Sequence, residues 1–231
     1  MNTDLVVVTG AAGALGKAVC AAFLERGARV LALDIGEEPL RAAYGGDGRV
    51  RTLAVDLVDA AKSRAAIAAA LAADGPAAAL CNIAGGFDMG PAVHEDDGAL
   101  WRRMMDLNVA TLVNASAAVA PGMLAAGRGA IVNVAAASAA SGKAGMGAYI
   151  ASKDAVARLT ETMAQELRGR GVNVNAVAPS ILDTPANRAA MPGADPAKWV
   201  ALADLAAVIV FLASPQAKAV HGAVLPVLGL S

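Results

Sequence analysis

The chain has 231 residues, of which 57% are hydrophobic, 17% charged and 3% aromatic, with a formal net charge of -1. Interspersed charges of nearly equal number exclude the basic face that nucleic acid needs and the polybasic stretch that an anionic membrane attracts. Two cysteines, Cys20 and Cys81, are too few for a disulfide framework or a cysteine-built zinc site, and both fall in apolar runs, as reduced, buried thiols do.

Taken in chain order, Asp4 interrupts the start and a strand pattern follows at once, so no secretory signal is expected. With reduced thiols, this predicts a cytoplasmic protein. Short β-branched runs at 5–8, 29–33, 50–55, 78–81, 130–134, 172–177 and 224–227 predict strands. Between most of them lie longer Ala/Leu stretches with helical spacing, at 15–26, 60–73, 100–126, 149–168 and 204–213. The charge-free run 107–127 is long enough to span a bilayer. It carries Asn108, Thr111, Asn114, Ser116 and Pro121, however, and burying such groups in lipid costs several kcal/mol each, so a helix buried in protein is expected. Continuous apolar strands alternating with helices predict an α/β fold: one Rossmann-type, doubly wound parallel sheet of about seven strands with helices on both faces. No linker or repeat divides the chain, which predicts a single domain over 1–231. Ligands of such a sheet sit outside the carboxyl ends of its strands.

The first strand runs into Thr9-Gly10-Ala11-Ala12-Gly13-Ala14-Leu15-Gly16, from which a helix opens. Glycines there permit a tight turn and close approach of backbone to a pyrophosphate, and a helix N-terminus offers its unpaired N–H groups to the phosphates. The second strand ends at Asp34, 24 positions after Gly10. A carboxylate at that point accepts from both hydroxyls of an adenosine ribose and repels a 2′-phosphate. Ile35 follows it with no compensating cation, Lys17 and Arg41 being the nearest, so NAD(H) is expected over NADP(H).

These features, with others further along, resemble the short-chain dehydrogenase/reductase superfamily over essentially the whole chain. Asp56, followed by Leu57, matches the family's aspartate beside the adenine, and Asn82-Ile83-Ala84-Gly85 its Asn-x-Ala-Gly element. Asn108 falls where the family has a helix asparagine tied to a proton-relay water. Tyr149-Ile150-Ala151-Ser152-Lys153 matches Tyr-x-x-x-Lys, and Asn175-Ala176-Val177-Ala178-Pro179, with Leu182 and Thr184 beyond it, matches the segment holding the nicotinamide carboxamide. The resemblance thus implies a cofactor set of Gly10, Ala12, Gly13, Ala14, Leu15, Gly16, Asp34, Ile35, Asp56, Leu57, Asn82, Ala84, Gly85, Tyr149, Lys153, Pro179, Leu182 and Thr184.

Tyr149 and Lys153, four residues apart, share one helix face. A free phenol ionises near pH 10, about three units too high for easy proton exchange at neutrality, and a neighbouring ammonium draws that value down. Tyr149 is therefore expected to exchange a proton with the substrate, and the resemblance gives Lys153 a second task at the nicotinamide ribose. The main branch of the family also has a serine 13 residues before the tyrosine, where this chain has Ala136. Either Ser138 takes that role after a local rearrangement or the serine is absent; the gapless strand pattern at 130–134 favours absence.

The segment from Leu182 to Trp199 resembles dihydropteridine reductase, a branch that uses NADH, keeps Tyr-x-x-x-Lys and lacks the serine. Ala84-Gly85-Gly86-Phe87 resembles its loop, whereas Leu107-Asn108-Val109 belongs to the main branch. Phe87, Ala136, Ser138, Met146, Ile181 and Met191 are the candidate substrate wall, and Tyr149, Lys153, Asn108 and Ser138 the candidate catalytic set. His94 and His221 lack partners at ligand spacing, Asp96 and Asp97 read as a solvated helix start, and no metal site is expected. Three functions are open: an NADH-dependent reductase of the dihydropteridine reductase type, a carbonyl reductase or alcohol dehydrogenase using Ser138, and an NAD(H)-binding redox sensor without turnover. The resemblance also implies a homodimer or homotetramer.

Overall fold

The computed structural model describes residues 4–230. Its elements run β1 (Leu5–Thr9), α1 (Ala14–Leu24), β2 (Arg29–Asp34), α2 (Glu37–Tyr44), β3 (Val50–Ala54), α3 (Ala60–Asp74), β4 (Ala79–Asn82), α4 (Ala99–Met105), α5 (Thr111–Ala126), β5 (Gly129–Val134), α6 (Gly147–Leu167), β6 (Val172–Pro179), α7 (Pro185–Ala190), α8 (Leu202–Leu212) and β7 (Val224–Val227). All seven expected strands form, in one parallel sheet of order β3-β2-β1-β4-β5-β6-β7. The order reverses at β1/β4, which is where a doubly wound sheet opens a crevice for ligands.

Strand alternation divides the interior into two layers. Val6 and Val8 of β1, Val30 and Ala32 of β2, and Val132 of β5 face one side, against Leu15 and Val19 of α1 and Leu205 and Ile209 of α8. Leu5, Val7, Leu31, Leu33 and Ile131 face the other, against Ile67 of α3 and Ala115, Val119 and Met123 of α5. Side chains of period two on a sheet buried on both faces give this division directly.

The stretch expected as one helix at 100–126 is a helical run over Ala99–Ala126, long and apolar enough by length and composition to cross a membrane. Here its second half, α5, packs on β4 and β5 with Leu112, Asn114, Ser116 and Met123 buried, while α4 packs against α6. The run contains a single π turn, Asp106–Ala110, which rotates Asn108 into the interior. Two helices were not expected from the apolar pattern: α2, which buries only Leu40, and the short α7, capped by the Thr184 hydroxyl on Asn187 N–H at 3.1 Å. Beyond β6, a backbone bridge joins Leu182 to Val200, so that residues 184–199 leave and rejoin the body of the protein at one place.

Candidate active site

The turn between β1 and α1 can exist only with glycine at two points. Gly10 has φ +62°, and a Cβ there would lie 2.9 Å from the backbone of Ala84; a Cβ on Gly16 would strike the Gly10 carbonyl and Ala11 Cα. The Thr9 hydroxyl ties this turn to the end of β4, accepting from Ile83 N–H and Ala84 N–H at 3.0 Å each. Gly13 caps α1 without a side-chain hydrogen bond, leaving the amides of the helix's first turn, Ala14, Leu15 and Gly16, for an outside acceptor.

Those residues line a cleft of about 660 Å³ at the carboxyl ends of the strands. Of the expected cofactor residues, Gly10, Gly13, Ala14, Leu15, Gly16, Asp34, Ile35, Asp56, Leu57, Ala84, Gly85, Leu182 and Thr184 line it. Val55, Val58, Ile83, Leu107, Thr111, Pro185 and Ala186 line it too and were not anticipated. Most of them adjoin an expected residue, so extending each motif by one or two positions would have found them. The cleft fits a dinucleotide: a cradle that a Cβ would fill, helix amides at one end, and the Asp34 carboxylate at the end of β2. Asp34 accepts from Ala12 N–H at 2.9 Å and from Ile35 N–H at 2.8 Å. Asp56 accepts from Val58 N–H at 2.9 Å.

Asn82 is turned elsewhere. Its side chain is buried, donating to Asn133 Oδ1 at 2.8 Å and Ser116 Oγ at 3.2 Å, and Asn133 continues the chain to Thr160 Oγ1 at 2.9 Å. The amide therefore braces β4, β5 and the two helices behind them rather than facing the cleft. Pro179 ends β6 in register with Val227 and likewise lies outside the cleft wall.

Lys153 is buried on α6, and its ammonium donates to the Val134 carbonyl at the end of β5 at 2.9 Å. Neither it nor Tyr149 lines the cleft; its Nζ lies behind the cleft residue Gly85, where an added Cβ would come within 3.2 Å of it. Burial lowers the lysine to about 8. Tyr149, one helical turn earlier, meets the Phe87 ring edge-on with centroids 4.8 Å apart. Burial pushes the Tyr149 phenol above its ordinary value, and the lowering expected from Lys153 does not offset it in this structure. The hydroxyl is accordingly held in its protonated form.

Asn108 and Ser152 fasten this helix to the loop after β4. Asn108 accepts from Gly86 N–H at 2.9 Å and donates to Gly86 O at 3.0 Å and Ser152 Oγ at 3.0 Å, while Ser152 donates to the Tyr149 carbonyl at 2.7 Å. The π turn thus delivers an asparagine that holds the Phe87 loop against the tyrosine's own backbone.

Ala136 is buried immediately after β5, and Ser138 is exposed on a 3-10 turn, Ala137–Ala140. Among the other expected substrate residues, Phe87 alone is in ring contact with Tyr149; Met146 is buried, Ile181 is 38% exposed and Met191 is half-buried at the end of α7. Arg188 of α7 makes a paired contact with Asp183, at 2.6 and 2.8 Å, which holds that carboxyl below its ordinary pKa. No group of three or more His, Cys, Asp or Glu that could hold a metal occurs among the described residues.

Comparison with known proteins agrees with this geometry. Residues 4–194 match the family model for short chain dehydrogenases. D-threitol dehydrogenase of Mycolicibacterium smegmatis is 37% identical over 96% of this chain and 90% of its own. Among solved structures, a gluconate 5-dehydrogenase from Burkholderia cenocepacia in complex with NADP and tartrate superposes with a TM-score of 0.90 at 27% identity, covering 99% of this chain and 95% of that one. A 3-oxoacyl-[acyl-carrier protein] reductase from Brucella melitensis with bound NAD gives 0.86 at 29% identity, covering 98% and 90%. The parallel seven-stranded sheet, the glycine turn at its switch point and the Tyr149/Lys153 pair therefore sit in a chain that belongs to the short-chain dehydrogenase/reductase family, a family of NAD(P)-dependent oxidoreductases.

Proposed function

We propose that this protein is an NADH-dependent reductase in which Tyr149 supplies the proton and no serine assists, and that its substrate is a conjugated electrophile of the quinonoid dihydropterin kind. Bound nicotinamide supplies the hydride. The chain's own residues do the rest: the turn 10–16 and the first amides of α1 hold the pyrophosphate, and Asp34 receives the ribose hydroxyls and disfavours a 2′-phosphate. Lys153 holds the nicotinamide ribose, and Tyr149, kept protonated by burial, donates at the substrate atom that gains electrons.

The observation that carries this reading is buried Ala136 in the position of the family's serine, with Ser138 exposed on the turn beyond it. A simple ketone loses one hydrogen bond to its developing oxyanion in such a site, whereas a conjugated iminium-like acceptor needs a proton more than a second donor. Alcohol–carbonyl interconversion through Ser138 is the second reading, favoured by relatives named as a polyol dehydrogenase and a 3-oxoacyl reductase. In either case the chain works as a homodimer or homotetramer in a reducing cytoplasm.

NADH oxidation against quinonoid dihydropterin, ketones, quinones and acyl thioester ketones tests the proposal. The expected result is turnover with the dihydropterin, lost by about 100-fold or more in Tyr149→Phe and changed only a few-fold in Ser138→Ala. A loss of about 100-fold in Ser138→Ala on a ketone would instead establish the second reading. Nucleotide binding with no turnover in the wild type would leave a sensor.

A further inference from the structure

One peptide unit of the phosphate-binding turn is gripped at both ends by side chains from outside the turn. Its carbonyl, on Ala11, accepts from the Tyr44 hydroxyl at 2.6 Å, and its amide, on Ala12, donates to Asp34 Oδ2 at 2.9 Å. The flanking amides are held by backbone alone: Ala11 N–H donates to Leu33 O at 3.0 Å and Gly13 N–H to Gly10 O at 3.1 Å. Asp34 is the last residue of β2 and Tyr44 the last of α2, so α2 connects the two grips.

A peptide is planar, so fixing its oxygen and its N–H fixes the orientation of the whole unit. That unit sets the heading of the chain into Gly13 and hence the aim of the free amides on Ala14, Leu15 and Gly16. Tyr44 is suited to the task. Its ring is half-buried against the core layer that contains Cys20, and burial raises the pKa of its hydroxyl, which remains a neutral donor. The Cys20 thiol interacts with the same hydroxyl and, pushed up to about 11 by burial, also brings no charge.

We infer that Tyr44 is a positioning residue for the cofactor: it holds the Ala11–Ala12 peptide so that the turn and the carboxylate of Asp34 act as one unit, linking recognition of the pyrophosphate to recognition of the adenosine ribose. Tyr44 works through the backbone and reaches no reacting atom. The inference rests on the proposed binding of NADH at this turn. Phenylalanine at position 44 keeps the ring and removes the one donor, freeing the peptide to rotate away from Asp34.

The test is equilibrium titration of the full-length protein with NADH, followed by fluorescence, together with hydrogen exchange of the same proteins without nucleotide. Tyr44→Phe is expected to raise the Kd for NADH about 10-fold. Exchange should quicken in the segment 10–16 while β4 and β5 keep their protection. The double variant Tyr44→Phe/Asp34→Ala should lose clearly less than the product of the two single losses, because both substitutions release one peptide. Should Tyr44→Phe unfold, Tyr44→Leu, which also fills apolar space without a donor, supplies the same measurements. Wild-type affinity in the variant, unchanged exchange in 10–16, or losses that simply multiply would each overturn the positioning role while leaving NADH binding intact. Failure of the wild type to bind NADH would overturn the cofactor reading and this inference together.

Discussion

Lys153 has an ammonium buried between β5 and α6 with a carbonyl as its protein partner, and burial lowers its pKa to about 8. Such a depression corresponds to about 3 kcal/mol of destabilisation while the group stays charged, against about 1 kcal/mol regained from the hydrogen bond to Val134. The sign follows from linkage. The unfolded lysine holds its proton more tightly than the folded one, so the penalty is full below pH about 8 and fades as pH rises toward the ordinary lysine range. Lys153→Met should therefore be more stable than the wild type at pH 7, by about 2 kcal/mol in denaturant melts, with turnover lost. The gain should shrink as the pH of the melts climbs above 8. A variant less stable at pH 7 would show that the ammonium is held in place by more than the observed geometry provides. The residue pair itself was legible in the sequence, since Tyr-x-x-x-Lys places both groups on one helix face. The direction of the phenol's pKa was not, because spacing does not report how deeply a hydroxyl is desolvated.

Among the elements, the α1 turn depends on shape more than on any side chain. A Cβ on Gly16 would overlap the Gly10 carbonyl and lie 2.7 Å from Ala11 Cα, both backbone atoms that cannot swing aside. Gly16→Ala should therefore lower the thermal midpoint by about 5–10 °C, as overpacking of about 2 to 3 kcal/mol does in a chain of this size, and weaken NADH binding with it. Gly169→Ala, where a Cβ meets nothing within 4 Å and φ is not positive, is the matched control and should change the midpoint by about 2 °C or less. Equal effects at the two positions would refute the steric account. The glycine spacing announced this turn because only glycine can meet its geometry. The missed elements lack such a mark: α2 exposes most of its surface, and α7 is six residues held by a cap and by the Arg188–Asp183 pair. The π turn was equally silent, since one residue of slippage leaves the apolar pattern of 100–126 almost intact while turning Asn108 inward.

At the scale of the whole molecule, the inner apolar strands β2, β1, β4, β5 and β6, buried on both faces, fix the parallel sheet, the edge strands β3 and β7 staying partly exposed. The switch between β1 and β4 fixes where the sheet's cleft opens. Motif positions in a strand do not say which way a side chain turns, and Asn82 illustrates it: read as a cofactor residue, it is buried against Asn133 and Ser116. Tyr44 is the converse, a residue in no motif that reaches the motif's backbone across 33 positions. The most direct test of the account is a crystal structure of the protein grown with NADH. The pyrophosphate should lie on the amides of Ala14, Leu15 and Gly16, the adenosine ribose on Asp34, and the reducing face of the nicotinamide should open onto the Tyr149 hydroxyl. A nicotinamide facing away from that hydroxyl, or a nucleotide bound outside this cleft, would contradict it.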